Sequence, residues 1–147
     1  MSDLSIVNLS TYTSPRIVET KTDDFVSYGE DNNYFQFLID RYNGSATNNA
    51  IINGMSEMIF GKGLDATDSS RKPEAYAQMI TLFHDTCVRR LSSDLKLMGQ
   101  CAMQVIYSKD RKTIARVEHI PVETLRAEKC NEKGEIEAYY MHPDWAN

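Results

Sequence analysis

The hydrophobic pattern of this chain changes period once, at Gly99, and that change constrains the fold more than any other feature. Before Gly99, apolar residues recur three and four apart, as on one face of a helix. After it they alternate, as on one face of a strand. Cys101 to Ser108 carries Met103, Val105 and Tyr107 on one face, and Lys109-Asp110-Arg111-Lys112 is a polar turn. Thr113 to Ile120 returns beside it, giving a hairpin. Pro121 to Leu125 reads as a tight turn or a single helical turn. Arg126 to Cys130 is a short strand, and Asn131-Glu132-Lys133-Gly134 is a turn with Gly at the positive-φ position. Glu135 to Met141 is the partner strand. Helices first and antiparallel hairpins after is an α+β order.

The helical half is punctuated by its polar residues. Asn33 to Tyr42 predicts a short helix with Tyr34, Phe37, Leu38 and Arg41/Tyr42 at helical spacing. Asn32 or Asn33 is its expected cap, and Asp31 is first-turn chemistry. Asn43-Gly44 ends it, with Gly44 expected in the left-handed conformation. Ser45 caps the next helix, whose stripe of Ile51, Met55, Met58 and Ile59 is expected to be buried against Leu38 and Leu82/Phe83. Gly61 and Gly63 end that helix, one or both with positive φ. Pro73 and Glu74 start a third, long helix. Its stripe of Ala75, Met79, Leu82, Phe83, Leu91, Leu95 and Met98 runs to Gly99. Residues 1–22, rich in Ser, Thr and Tyr, read as a strand or as a flexible arm that orders on a neighbour.

At 147 residues the chain is one domain's worth. Its net charge is −5, which argues against a simple nucleic-acid coat. The charge is uneven: residues 1–60 carry 3 Lys+Arg against 8 acids, residues 61–116 carry 10 against 6, and residues 117–147 carry 3 against 7. The basic middle reads as a solvated helix face plus a charged turn; the sharper alternative is a contact face for an acidic neighbour or for DNA phosphates. Cys87, Cys101 and Cys130 are odd in number and lack metal-site spacing. The first residues carry no secretory signal, and no window is long and apolar enough for a membrane span. A reduced intracellular setting with free thiols follows as the expectation.

Candidate chemistry is sparse. Gly61-Lys62-Gly63 invites a phosphate-loop reading, but Ser56 and Gly63 stand where that loop needs Gly and Ser/Thr. His84, His119 and His142 are far apart in sequence and read as surface or core histidines. No nucleophile elbow and no calcium-loop spacing occurs, and Glu30-Asp31-Asn32 reads better as capping than as a cation site. No residue pattern supports a catalytic site, a metal or a cofactor. Trp145, near Pro143, reads as an anchor of the last strand in the core or, alternatively, as a Trp left exposed by chain termination, with Tyr139-Tyr140 continuing an aromatic face.

One distributed signature remains. It opens at Tyr28-Gly29-Glu30-Asp31-Asn32-Asn33-Tyr34 and passes through Phe37-Leu38-Ile39, Ser45 and Asn49-Ala50-Ile51-Ile52. It closes on Ile59-Phe60-Gly61-Lys62-Gly63-Leu64. A second segment, His119-Ile120-Pro121-Val122-Glu123-Thr124-Leu125-Arg126, follows later, and Tyr139 to Trp145 ends the series. In order and spacing these resemble the N-terminal part of tailed-bacteriophage portal proteins. The signature positions are Tyr28, Gly29, Asp31, Asn32, Tyr34, Leu38, Ser45, Asn49, Gly61, Lys62, Gly63, Leu64, Pro121 and Arg126. The resemblance implies an outer α+β wing domain, structural and not catalytic, belonging to a ring at one capsid vertex through which DNA is packaged and ejected. It implies other portal subunits as partners. In a full-length protein it adds the packaging motor, capsid and tail-connector proteins and transiting DNA, with no membrane. The setting would be the virion, and the bacterial host cytoplasm during assembly. Portal chains are much longer, so the chain resembles an amino-terminal fragment, with stem, clip and tunnel regions absent. Two other classes stay open: a stand-alone phage or prophage protein-interaction module, and a small intracellular enzyme of unrecognised type.

Overall fold

A computed structural model describes the backbone of residues 17–18, and residues 24–29 and 31–145 in full. The expected arm at 1–22 lies almost wholly outside the described residues. Two short strands, β1 (Ile17–Val18) and β2 (Ser27–Tyr28), pair antiparallel. Four helices follow among the described residues: α1 (Tyr34–Asn43), α2 (Ala46–Phe60), α3 (Pro73–Leu82) and α4 (Asp85–Met98). Then come β3 (Ala102–Tyr107), β4 (Ile114–Ile120), a 3-10 turn at Val122–Thr124, β5 (Leu125–Ala127) and β6 (Tyr139–Met141). The fold is α+β, with each sheet two-stranded and antiparallel.

Local chemistry explains most of these boundaries. The Ser45 hydroxyl accepts from the Asn48 amide at 3.3 Å, supplying one of the partners that a helix N-terminus lacks. Pro73 stands in the first turn of α3 with Glu74 beside it. Gly99 stops α4 in the left-handed region at φ 76. Gly61 and Gly63 carry φ of 57 and 88, so both allow the sharp exit from α2 that a side chain would strain. Gly44 differs from expectation. It stays right-handed at φ −79, because the chain passes almost directly into α2.

The single long helix expected from Pro73 to Met98 is two helices. Phe83 (φ −105, ψ 83) and His84 (φ −61, ψ 143) leave helical geometry between them. The His84 carbonyl then starts α4, accepting from the Cys87 and Val88 amides at 2.8 and 3.1 Å. Asp85 sits in the new first turn, where its charge favours the positive end of the helix dipole.

The expected β3–β4 hairpin forms, with Met103 opposite His119 and Val105 opposite Val117. Residues 109–112 form its turn, where Asp110 accepts from the Lys112 amide and from the Ser108 hydroxyl. That hydroxyl holds the Asp110 carboxyl below its usual range. β5 pairs with β6, and on its other side the Val26 amide donates to Ala127 O at 2.9 Å. β5 is therefore flanked by β6 on one side and by the Phe25–Val26 segment on the other. The Asn131–Gly134 turn closes as expected, with Gly134 at φ 80.

The core corrects one expectation. α2 packs on α4, α1 packs on both, and β4 lies over α3 and α4. Phe35, Phe60, Cys87, Val117, Val122 and Ala127 are buried. Ile51, Met55, Met58 and Ile59 are not: they are 54%, 41%, 81% and 51% exposed. The face of α2 that packs inward is Ile52, Ser56 and Phe60, also at helical spacing. Small serines make this seam possible. The Ser56 hydroxyl donates to Ile52 O at 2.8 Å and the Ser92 hydroxyl to Val88 O at 2.9 Å, so both are buried without an unpaired donor. Arg89 lies over the Phe60 ring at 3.8 Å and pairs with Glu57, sealing the end of the seam.

Candidate functional site

The most organised polar site is built around Arg126, on β5, and the residue is 2% exposed. A buried guanidinium must have its donors satisfied or it costs several kcal/mol, on the order of a lost buried partner. Here the 3-10 turn and the start of β5 bring two carbonyls to it. Nη1 donates to Glu123 O at 2.9 Å and Leu125 O at 2.7 Å. The chain before α1 supplies the rest: Nη2 donates to Asn32 O at 2.8 Å, and Nε donates to Asn32 Oδ1. Three aromatic rings close the cage, with Tyr28, Phe35 and Trp145 centroids 5.4, 5.2 and 5.1 Å from the guanidinium carbon. Ring faces attract a cation, more so away from water. Burial pulls the Arg126 pKa below its ordinary value, and Tyr28 opposes that shift.

Asn32 has a different role from the expected cap. It is buried with φ 57, a conformation that Asn tolerates better than most residues. Its Oδ1 accepts from the Tyr28 amide at 3.0 Å as well as from Arg126. Asn33 occupies the cap position of α1 without a side-chain bond. Gly29, at φ 85, turns the chain against Tyr34, where a Cβ would meet the Tyr34 backbone N at 3.4 Å. Trp145 donates from Nε1 to Thr124 O at 2.8 Å and packs 4.8 Å from Phe25, so it anchors the chain's last described turn onto the cage.

Tyr28, Asn32 and Arg126 thus meet, with Gly29 and Tyr34 beside them and Pro121 opening the turn that delivers Arg126. The Thr124 hydroxyl donates back to Pro121 O at 2.7 Å, closing that turn. Asp31 is exposed nearby. The other signature residues lie elsewhere. Leu38 is half-buried on α1, and Ser45 caps α2. Asn49 accepts from Asn53 at 2.8 Å, and Asn53 in turn accepts from the Tyr42 hydroxyl, tying α2 to α1. Gly61, Lys62, Gly63 and Leu64 form the exit of α2, with Lys62 exposed. Gly63 faces α4: a Cβ there would meet Asp85 Oδ1 at 3.3 Å.

Sequence reasoning missed Phe35, Trp145 as a cage wall, and the pair His119–Asp94. His119 Nε2 lies 2.7 Å from Asp94 Oδ2, both largely buried, and joins β4 to α4. Neither residue is announced locally, since the partners are on different elements. A groove of about 450 Å³ runs between the two hairpins, lined by Cys101, Ala102, Met103, Ile120, Tyr139 and Met141 among others. Its walls are mostly apolar.

The Arg126 cage can therefore hold two distant segments in register. Its donors go to the chain's own carbonyl and amide oxygens, and a ligand would have to displace them. Among the described residues, no group of three or more His, Cys, Asp or Glu is placed to hold a metal ion. No helix among them is long and apolar enough to cross a membrane. No family model matches the chain, and no curated protein or solved structure matches it.

Proposed function

We propose that this chain is a structural component of a phage capsid vertex: the wing region of a portal-type ring that serves DNA packaging and ejection. The observation that carries this is the meeting of the two resembling segments. Tyr28–Tyr34 and Pro121–Arg126 are far apart in sequence, yet Asn32 and Arg126 are bonded to each other twice. Distant parts of a signature that interlock in this way support a fold element as what the signature encodes. The exposed apolar residues on α2, β3 and β6 add support, since such surfaces on a structural subunit are covered by neighbours. Its partners in this role are other subunits of the ring, with motor, capsid, tail-connector proteins and DNA engaged by the whole assembly.

The test is electron microscopy of the assembly that holds these residues, isolated through an epitope tag from cells producing the phage. A closed ring with a central channel is expected. A soluble monomer in those cells supports the stand-alone interaction module, and turnover of a substrate lost on changing groove residues supports an enzyme.

A further inference from the structure

We infer that the tip of the β3–β4 hairpin is a basic ribbon that contacts the phosphate backbone of duplex DNA. Charge is the first observation. Lys109, Arg111 and Lys112 stand together at the tip, and all three are exposed. Among the described residues none of them forms an ion pair. The acid between them, Asp110, is taken up by the turn: it accepts from the Ser108 hydroxyl and from the Lys112 amide, the latter at 3.1 Å. Three positive heads are left to solvent on a chain whose net charge is −5.

Arg111 is the second observation. Its φ is 56, in the left-handed region. That conformation costs a residue with a Cβ about 1–2 kcal/mol and is open to glycine. Gly134 takes such a conformation, φ 80, in the other hairpin turn. The Arg111 guanidinium makes no hydrogen bond or ion pair among the described residues, so nothing inside the chain uses the side chain that brings this cost. Strain of this kind points to a contact outside the chain.

Shape selects the partner. β3 and β4 pair only with each other. The base of the ribbon packs on α3 and α4 through β4, where Val117 is buried, and every residue from 109 to 116 is exposed. The ribbon therefore projects. The major groove of B-form DNA, about 12 Å wide, admits a two-stranded ribbon, whereas that of an A-form duplex is too narrow for side chains to read. A folded acidic protein needs a matched surface of about 800 Å² per partner, more than a four-residue tip presents. A phosphate backbone repeats its charge and asks only for cations. The contact is weak and indifferent to base sequence, because phosphate contacts position a protein and bases specify. It rests on the ribbon alone, so its failure would leave the capsid-vertex reading standing.

Two-dimensional NMR of the purified chain, titrated with a mixed-sequence DNA duplex, reads both place and affinity. Shifts are expected to concentrate at residues 107–116. Three neutralised phosphates give a slope of about −2.7 in log K against log salt, so affinity should fall on the order of 40-fold from about 50 to about 200 mM salt. Lys109→Glu with Lys112→Glu should weaken binding at least about tenfold at the lower salt. Arg71→Glu with Lys133→Glu makes the same change in net charge at exposed positions elsewhere, and should weaken it less than about threefold. Arg111→Gly should reduce the salt slope by about 1 and melt no lower than the parent, because glycine adopts this φ freely. Overturning results are no shifts at the tip at the lower salt, tip variants that bind like the parent, a control pair that weakens binding as much as the tip pair, or a single strand bound more tightly than the duplex. A polyglutamate peptide bound as tightly as the duplex would overturn it too, assigning the tip to an acidic protein.

Discussion

Replacing Arg126 by alanine removes the centre of the cage and leaves its surroundings in place. Asn32 O, Asn32 Oδ1, Glu123 O and Leu125 O each lose a donor. A stranded buried acceptor costs about 1–3 kcal/mol, so the sum could exceed the stability of many domains. Two effects reduce it. A cavity of about 140 Å³ adjoins the cage, lined by Asn32, Glu123 and Trp145 among others. Water entering there can re-satisfy some of the oxygens. The peptide oxygens of Asn32, in the turn before α1, and of Leu125 can also relax. The net expectation is a loss of about 3–5 kcal/mol, the range for breaking a buried charged contact. At about 2–4 °C per kcal/mol for a chain of this size, the melting temperature falls by roughly 10 °C. Arg126→Lys keeps the charge but not the planar fork, and should lose most of the same amount. The chain has a single tryptophan, and it forms one wall of the cage, so urea melts followed by Trp145 emission and by circular dichroism report local and global loss together. A midpoint shift worth less than about 1 kcal/mol for Arg126→Ala would refute the view that this contact ties the two segments.

Further expectations concern other contacts. Asn32→Gly should cost about 1–3 kcal/mol through the lost acceptor, and Asn32→Ala about 1 kcal/mol more because it must hold φ 57; equal losses in chemical denaturation would contradict the backbone part. Met55→Ala should cost under about 1 kcal/mol, since the side chain is on the uncovered face; a loss of several kcal/mol in the monomer would restore a buried stripe. A double-mutant cycle on Asp94 and His119, each changed to alanine, should show coupling of about 1 kcal/mol or more at 2.7 Å, and zero coupling would remove the link between β4 and α4. Cys87 is buried and its thiol is pushed up by that burial, whereas Cys101 and Cys130 are exposed. Iodoacetamide followed by mass spectrometry at neutral pH should therefore label Cys87 last.

What the sequence revealed depended on how local the cause was. Ser45, Pro73, Gly99 and Gly134 act within one turn, and their elements begin and end where their chemistry demands. The break at Phe83–His84 has no proline or glycine to mark it, and the apolar spacing runs through it without a gap. α2 misled for a related reason. Two helical stripes coexist on it, and the outward one holds more apolar residues, Ile51, Met55, Met58 and Ile59. The inward stripe is built on Ser56, whose hydroxyl bonds to its own helix and so behaves as a small residue. Arg126 and Asn32 were legible as positions in a signature but not as partners. Asn before a helix suggests a cap, and only the folded chain brings the β5 guanidinium to it. The expected strand from Glu135 to Met141 proved shorter, Tyr139–Met141, because the residues before it carry the turn.

The proposed vertex role is tested most directly by immunogold electron microscopy of phage particles recovered from cells that produce this chain, using an epitope placed in the exposed 109–112 turn. The account predicts label at a single vertex of each capsid, retained after DNA release. Label spread over the whole shell, or particles with none while the protein stays free in the host cytoplasm, would contradict it.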